Sequence, residues 1–204
     1  MKKLLIATTN KGKLQEIGEF LKDLSVQLVS LKDVGITQDV EEDGQSYEEN
    51  AQKKALFYSK LAKLPSVADD GGLEINALGG APGLKSRRWL GHEGTDEELI
   101  VHMQKIAKEL PEQNRDATFV TAVSFALPSG EVWTERGEVN GIIAKEPHQK
   151  FLRGYPYRSF FYLPEIQKFY HENELSPEEM KEYNHRFKAA ERLKKVIKEK
   201  LLLY

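Results

Sequence analysis

The chain has 204 residues, of which 40% are hydrophobic and 30% charged, and its formal net charge is −2. That length suits one domain, or two lobes sharing a sheet, and a charge near zero argues against bulk binding to nucleic acid or to an anionic membrane. The sequence has no cysteine, which excludes disulfides, thiolate metal sites and cysteine nucleophiles, and no apolar run approaches the roughly 18 residues of a membrane span. We therefore expect a soluble, cytoplasmic protein whose residues 1–204 form a single domain.

The N-terminal residues predict a strand, a polar turn and a helix. Residues 3–9 are apolar and of strand length, and Asn10 is a good N-cap for a helix with one apolar face. The turn Thr8-Thr9-Asn10-Lys11-Gly12-Lys13 would offer an anion free backbone N–H groups, the positive end of the helix dipole and a lysine. The alternative is an ordinary strand–helix junction with a solvated Lys13, and the glycine spacing of a Walker A loop is absent.

An acidic segment precedes the second predicted helix. A short strand is predicted at 27–31, and Ser46 with Glu49 has the spacing of a capping box that opens the helix. Carboxylates just before a helix are favoured by its dipole, which is a structural reason for Glu41 and Glu42. The functional alternative makes one of these two glutamates a metal ligand.

The stretch 68–83 carries the strongest functional signal. Asp69 and Asp70 precede two glycines, a short predicted strand at 73–75 and a glycine-rich turn at 79–83. Two adjacent carboxylates at the mouth of a buried strand are costly to desolvate without a cation. Oxygen ligands at a strand end can hold Mg²⁺, and the glycines would let a substrate approach the backbone. The alternative is an acidic turn between two strands, since Asp and Gly are common turn residues.

Two later segments also have a functional and a structural interpretation. Arg87 and Arg88 beside Trp89 suit bidentate phosphate recognition, although an arginine near a tryptophan is as often a surface stacking pair. The aromatic run 151–164 could stack a planar base, or it could be a core strand with aromatic neighbours.

The middle of the chain predicts a helix and an antiparallel meander. Thr95 and Glu98 form a capping box for the helix. Residues 117–127 and 131–136 are rich in strand formers, and a third strand is predicted to reach Ile143. The sheet is therefore expected to be mixed rather than fully parallel.

The last predicted helix begins after the cap residue Ser176. Its apolar stripe runs at helical spacing from Met180 to Leu201. His185 and Arg186 lie within this helix, where such a pair is normally a solvated flank.

Five motifs occur in one order along the chain: Thr8-Thr9-Asn10-Lys11-Gly12-Lys13, Glu49-Asn50-Ala51, Ala68-Asp69-Asp70-Gly71-Gly72-Leu73, Leu78-Gly79-Gly80-Ala81-Pro82-Gly83 and Asn184-His185-Arg186. With these motifs the chain resembles the Ham1/inosine triphosphate pyrophosphatase family, the non-canonical purine nucleoside triphosphate pyrophosphatases. The resemblance runs from residue 1 to the final helix and is strongest over residues 4–90.

The resemblance implies a fold and a reaction. The implied fold is α/β, an elongated mixed twisted β-sheet flanked by helices in two lobes with the active cleft between them, usually in a homodimer. The implied reaction is Mg²⁺-dependent hydrolysis of a nucleoside triphosphate at the α-phosphorus, which yields the monophosphate and pyrophosphate. The implied substrates are inosine and xanthosine triphosphates and their deoxy forms, and the implied role is house-cleaning of the nucleotide pool.

The resemblance also implies roles for individual residues. Asn10 and Lys13 would hold phosphates, Glu42 (or Glu41) would bind Mg²⁺ with Asp69 and Asp70, and Asp70 would be the base that activates water. His185 and Arg186 would read the base. The full implied set of substrate-binding positions is Thr8, Thr9, Asn10, Lys11, Gly12, Lys13, Gly71, Arg88, Arg153, Gly154, Tyr155, Pro156, Met180, His185 and Arg186.

The chain departs from the family pattern at four positions. Gly71 stands where the family has Ser or Thr, Pro156 replaces an aspartate, Met180 replaces a base-contacting lysine, and Asn184 replaces a serine. All but Gly71 fall in the part that recognises the base, so base selectivity is expected to change by about 1–3 kcal/mol for each lost contact.

These departures leave two alternatives to the family reaction. One is a nucleotide-binding sensor or partner subunit that hydrolyses weakly. The other is a pyrophosphatase of changed base specificity, with Arg153, Tyr155 or Arg158 taking over recognition of the base.

Overall fold

The computed structural model describes residues 1–203, except for the side chain of Leu203. Within them the helices are α1 Lys11–Leu21, α2 Tyr47–Ala62, α3 Asp96–Glu109, α4 Pro177–Tyr183 and α5 His185–Leu203. The strands are β1 Lys3–Ile6, β2 Gln27–Ser30, β3 Ser66–Ile75, β4 Asp116–Ala126, β5 Val132–Ile143, β6 Phe161–Leu163 and β7 Lys168–Phe169. None of the helices in this part of the chain has the length and apolar character needed to cross a lipid bilayer.

The strands form one seven-stranded sheet in the order β2-β1-β3-β4-β5-β6-β7. β1 pairs in parallel with β2 and with β3, whereas the β5–β6 and β6–β7 pairs are antiparallel. This mixed sheet with its helices confirms the predicted α/β fold class.

The chain divides into two compact units. Unit 1 comprises Met1–Asp70, Thr121–Gly137 and the chain from Arg186 onward. Unit 2 comprises Gly71–Val120 and Glu138–His185. Strands β3, β4 and β5 each contribute residues to both units.

The core of unit 1 follows from the alternation of side chains along β1. Leu4 and Ile6 pack in a cluster with apolar residues of α1 and α5, whereas Leu5 packs with α2 residues such as Ala55 and Tyr58. Successive residues of a strand point to opposite faces, so a strand that is apolar throughout is buried on both faces. The parallel strands of unit 1 are therefore covered by helices on both sides.

The core of unit 2 is built on α3 and on aromatic residues. Leu99 and Met103 of α3 pack in one cluster with Phe160 and Phe161, which are fully buried. The structure thus places the second half of the aromatic run 151–164 in this core, and only Phe161–Leu163 forms a strand. The buried Arg115 guanidinium donates hydrogen bonds to the carbonyl oxygens of Ala107, Leu110 and Ile143, and it thereby satisfies the end of α3.

The expected position of the aspartate pair at the end of a strand is wrong, and so is the alternative of an acidic turn between two strands. β3 runs without a break from Ser66 through Asp69, Asp70 and the two glycines to Ile75, so the carboxylates lie inside a strand and not at its end. Gly72 is required by packing in unit 2, because a Cβ there would overlap the carbonyl oxygen of Gly83 and lie 2.5 Å from Ser86 Oγ. Gly72 therefore allows residues 83–86 to pack closely against β3.

Two further predicted elements differ from the observed ones. The meander after β4 is one twelve-residue strand, β5, and not two short strands. The predicted last helix is broken at Asn184, which is fully buried and has an extended backbone conformation. The apolar stripe is correspondingly divided, because Met180 and Tyr183 pack on the unit 2 core and Leu193 and Ile197 on the unit 1 core.

Candidate active site

Asp69 and Asp70 lie at adjacent positions of β3 and face opposite sides of the sheet. The preceding residues Val67 and Ala68 show the same alternation, since Val67 packs in the α1–α5 cluster and Ala68 in the α2 cluster. Asp69 accordingly meets side chains from α1 and α5, and Asp70 meets side chains from α2. The two neighbouring carboxylates therefore have different partners.

The Asp69 carboxylate is held by two cations. Its Oδ2 atom lies 3.0 Å from Lys13 Nζ and 2.9 Å from Arg186 Nε, and the residue is 2% exposed. Burial alone would raise the pKa of this carboxyl, but Lys13, Arg186 and Lys54 together carry the pKa far below its ordinary value. Its Oδ1 atom is buried and has no hydrogen-bond partner in the structure.

The Asp70 carboxylate has one cationic partner and one neutral partner. Lys54 Nζ lies 3.3 Å from Oδ1, and the Asn50 amide donates a hydrogen bond of 3.1 Å to Oδ2. Burial raises the pKa of Asp70 more than Lys54 and Lys13 lower it, so the net shift is upward. Thr121 Oγ1 also donates to the Asp70 carbonyl oxygen at 3.0 Å and fixes the strand at this residue. Of the adjacent aspartates, Asp70 is the stronger proton acceptor.

Lys54 is a site residue for which the sequence analysis predicted no role. Its ammonium group bridges Glu42, at 2.8 Å, and Asp70. Burial would lower the pKa of Lys54, but the carboxylates of Asp70, Glu42 and Asp69 raise it above the ordinary value, so the group stays charged. Lys54 lies four residues after Asn50 and four before the buried Tyr58, and this inward-facing helical spacing is the signal that could have identified it.

The structure brings Glu42 and not Glu41 to this cluster. Glu42 contacts Lys54, whereas Glu41 is exposed. Glu42 is therefore the better candidate of the two for a role in the chemistry.

The turn before α1 is capped as predicted, but two of its N–H groups are occupied. Asn10 Oδ1 accepts hydrogen bonds from the backbone N–H groups of Gly12, at 2.9 Å, and Lys13, at 3.1 Å. Thr8 Oγ1 in turn accepts a hydrogen bond from the Asn10 N–H at 3.2 Å. These two N–H groups, predicted to be available to an anion, are therefore bonded within the turn; Thr9 and Lys11 are exposed.

Arg186 is a buried member of the cluster and not a solvated flank. It is 4% exposed and contacts Glu16 Oε2 at 2.5 Å in addition to Asp69. The cluster as a whole contains four carboxylates and three cations, and its formal charge is −1: Glu16, Glu42, Asp69 and Asp70 against Lys13, Lys54 and Arg186.

Unit 2 holds His185 and the other candidates for recognition of the base, but not Arg186, which belongs to unit 1 and contacts Asp69. Arg158, which is 5% exposed, places its guanidinium carbon 3.8 Å from the ring centre of Tyr155 and 4.7 Å from that of Tyr170. His185 Nδ1 is 3.1 Å from the Tyr170 hydroxyl, and the His185 ring stacks on Phe119 at 5.4 Å. These residues form an aromatic cluster with two basic side chains.

The other candidates in unit 2 lie outside this aromatic cluster. Met180 packs against the apolar core, and the Gly154 N–H donates to Asp96 at 2.6 Å. Pro156 is buried, Gly71 is partly exposed, and Arg88 and Arg153 are exposed.

The donors of the unit 1 cluster fit a hard divalent cation. Asp69 Oδ1 is a buried carboxylate oxygen without a hydrogen-bond partner, and Asp70 and Glu42 supply further oxygen donors. Among residues 1–203, no three His, Cys, Asp or Glu side chains are grouped closely enough to hold a metal ion by themselves. Mg²⁺ commonly uses one or two carboxylates and completes its shell with water and substrate phosphates, which matches this donor set.

Comparison with known proteins relates nearly the whole chain to one family. The sequence matches the profile of the Ham1 family over residues 4–196. A protein of Desulfotalea psychrophila named dITP/XTP pyrophosphatase is 38% identical over 192 residues, which cover 94% of this chain and 83% of that protein. A Bacillus subtilis protein of the same name is 34% identical over 197 residues, covering 97% of this chain and 98% of the relative.

The structural comparison agrees. A solved HAM1 protein from Coxiella burnetii superposes with a TM-score of 0.81 at 33% identity, and the match covers 98% of this chain and 100% of that one. The predicted resemblance is thus confirmed over nearly the full length of the sequence, and the chain belongs to the Ham1 family.

Proposed function

We propose that this protein is a Mg²⁺-dependent nucleoside triphosphate pyrophosphatase that converts non-standard purine nucleotides, with inosine or xanthosine as the nucleoside, to the monophosphate and pyrophosphate. It is an enzyme, a hydrolase of phosphoric anhydrides, as the names of its relatives imply. The observation that carries the proposal is the pair of adjacent buried aspartates with different partners: Lys13 and Arg186 contact Asp69, whereas Lys54 and Asn50 contact Asp70. These surroundings lower the pKa of Asp69 and raise the pKa of Asp70, so Asp69 serves as a permanent anion and Asp70 as an acceptor of protons.

The lysines of the cluster could bind the triphosphate chain of the substrate. Lys13 and Lys54 are the two lysines of the cluster, and both contact aspartates. When a triphosphate binds, each ammonium can exchange part of its contact with a carboxylate for a contact with a phosphate oxygen. The cluster carries a formal charge of −1, so a polyanionic substrate needs additional positive charge at the same place.

Asp69, Asp70 and Glu42 are the candidate metal ligands, and Glu42 and Asp70, which both contact Lys54, are the two of them that lie on the same side of β3. Bound Mg²⁺ would supply that missing positive charge and polarise the phosphate oxygens. Asp69 stays ionised at all physiological pH values because its pKa is strongly lowered. Asp70 accepts the proton of the water that attacks the α-phosphorus, since burial raises its pKa toward neutral pH.

We assign recognition of the nucleotide base to side chains of unit 2. The candidate contacts are Tyr155, Arg158, Met180 and His185, with Pro156 in the same segment. Pro156 and Met180 stand where the family pattern has an aspartate and a lysine, and Arg158 with Tyr155 offers a cation and a ring in their place.

Pyrophosphate release across a panel of triphosphates tests the proposal. The panel contains inosine and xanthosine triphosphates, their deoxy forms and the standard nucleotides, each with and without Mg²⁺. We expect turnover that requires Mg²⁺ and prefers the inosine or xanthosine forms. Turnover of a different nucleotide would instead support changed base specificity, and nucleotide binding without pyrophosphate release would support the sensor alternative.

We also expect a cytoplasmic homodimer. A chain without cysteine needs no oxidising compartment, and the dimer follows from the family resemblance. Light scattering of the purified protein should give twice the chain mass of 23.3 kDa. A mass equal to that of one chain would contradict the dimer.

A further inference from the structure

The side chain of Asn50 connects two parts of the site without carrying a charge. It lies in the first turn of α2 and is 2% exposed. Its Nδ2 group donates to Asp70 Oδ2 at 3.1 Å, and its Oδ1 atom accepts from the Gly44 N–H at 2.8 Å. Asn50 therefore joins the segment 42–44, which carries Glu42, to the aspartate on β3.

Gly44 is shaped for this contact. A Cβ atom at this position would lie 2.6 Å from Asn50 Oδ1, 2.9 Å from Glu49 Cβ and 3.1 Å from the Asn50 backbone nitrogen. No real Cβ approaches neighbouring atoms so closely, so only glycine lets the segment come near enough for its N–H to reach Asn50. The backbone at Gly44 is thus adapted to the Asn50 side chain.

Lys54, one helical turn later, also connects the Glu42 segment to Asp70, but through its charged ammonium group. It contacts Asp70 Oδ1 and Glu42 Oε1, whereas Asn50 contacts Asp70 Oδ2 and the Gly44 N–H. Asp70 is thereby held at both oxygens by residues spaced four apart on α2. A phosphate competes for the Lys54 ammonium, but it does not compete in this way for the neutral amide of Asn50.

We infer that Asn50, together with Gly44, is the positioning element that keeps the Glu42 segment and Asp70 in register while Lys54 turns to the substrate. This inference rests on the proposed function. An amide suits the task because it orients a carboxylate without neutralising it and without adding a further negative charge to the cluster.

The test compares Asn50→Ala and Gly44→Ala with the control Gln52→Ala. Gln52 lies on the same helix, and its side chain donates a 3.0 Å hydrogen bond to Thr134, outside the cluster. We expect both site variants to lower kcat by about 10–100-fold with little change in KM, as is usual when a residue behind the reacting groups is removed. The double variant should lose no more than either single variant, because both break one contact.

Amide hydrogen exchange supplies a readout that needs neither metal nor nucleotide. In the native protein the N–H of residue 44 is bonded to Asn50, so its exchange should accelerate in both site variants and stay unchanged in Gln52→Ala. Unchanged exchange in Asn50→Ala, a kcat equal to that of the control, or a loss confined to KM would overturn the inference. If the native protein hydrolyses no triphosphate, the proposed function fails, and the exchange comparison still decides whether Asn50 holds the segment.

Discussion

Asp70→Asn is expected to reduce pyrophosphate release by about 10²–10⁴-fold, the usual contribution of a positioned general base. Asparagine has nearly the same shape but cannot take a proton from water at neutral pH. For the native protein, kcat should fall as the pH drops through the raised pKa of Asp70, because protonation removes the base. The measurement is kcat across pH for the native protein and the variant.

The same substitution should not weaken the fold. Since burial raises the pKa of Asp70, its ionised form is less favourable in the folded protein than in the unfolded chain. That cost is relieved as the pH falls through the folded-state pKa, and asparagine removes it at every pH. Lys54 keeps Glu42 as a partner in the variant. Full turnover by Asp70→Asn would contradict the role of this residue as base, and a large fall in its melting temperature would contradict the account of its burial.

Asp69→Asn, in contrast, is expected to destabilise the fold. It leaves Lys13 and the buried Arg186 without the carboxylate that both contact, although Arg186 retains Glu16. Removing one partner of a buried ion pair costs about 3–5 kcal/mol, and we expect the lower end of that range here. For a chain of this size such a loss lowers the melting temperature by roughly 6–12 °C.

The dependence on pH gives this prediction a second test. The pKa of Asp69 is lowered in the folded protein, so its contribution to stability is fully present above the pKa of the unfolded chain. The contribution is lost only as the pH falls toward the folded-state value, in strong acid. Urea unfolding should therefore show a constant difference between native and Asp69→Asn protein from neutral pH to about pH 5, which narrows in stronger acid. Equal stability of the Asp69→Asn and Asp70→Asn variants would refute the asymmetry between the two carboxylates.

Local patterns predicted the elements whose signals are short-range. Asn10 caps α1, and Thr95 with Glu98 forms the predicted capping box of α3. Ser46 also caps α2, although the Glu49 carboxylate accepts from Gln45 and not from the cap residue itself. Such caps depend on atoms a few residues apart, and the strand β1 depends on its own unbroken apolar run. These features could therefore be read directly from the chain.

The errors arose where distant residues decide the local structure. The glycines after Asp70 suggest a turn, yet Gly72 continues the strand because the Gly83 carbonyl occupies the space beside it. The apolar stripe from Met180 to Leu201 looks continuous in sequence. The helix is nevertheless broken at Asn184, because the residues before it pack on the unit 2 core and the residues after it pack on the unit 1 core. A pattern of residue types has no information on what lies opposite it in space.

For the site, the sequence by itself determined which residue types could do the chemistry: a lysine after a helix cap, two adjacent aspartates and an acidic segment before a helix. Only the tertiary structure decided that the aspartates have different partners, that Glu42 and not Glu41 joins them, and that Lys54 belongs to the cluster. The physical reason is that a pKa and an ion pair depend on burial and on distances of a few ångströms, and these are set by the packing of α1, α2 and α5 around β3.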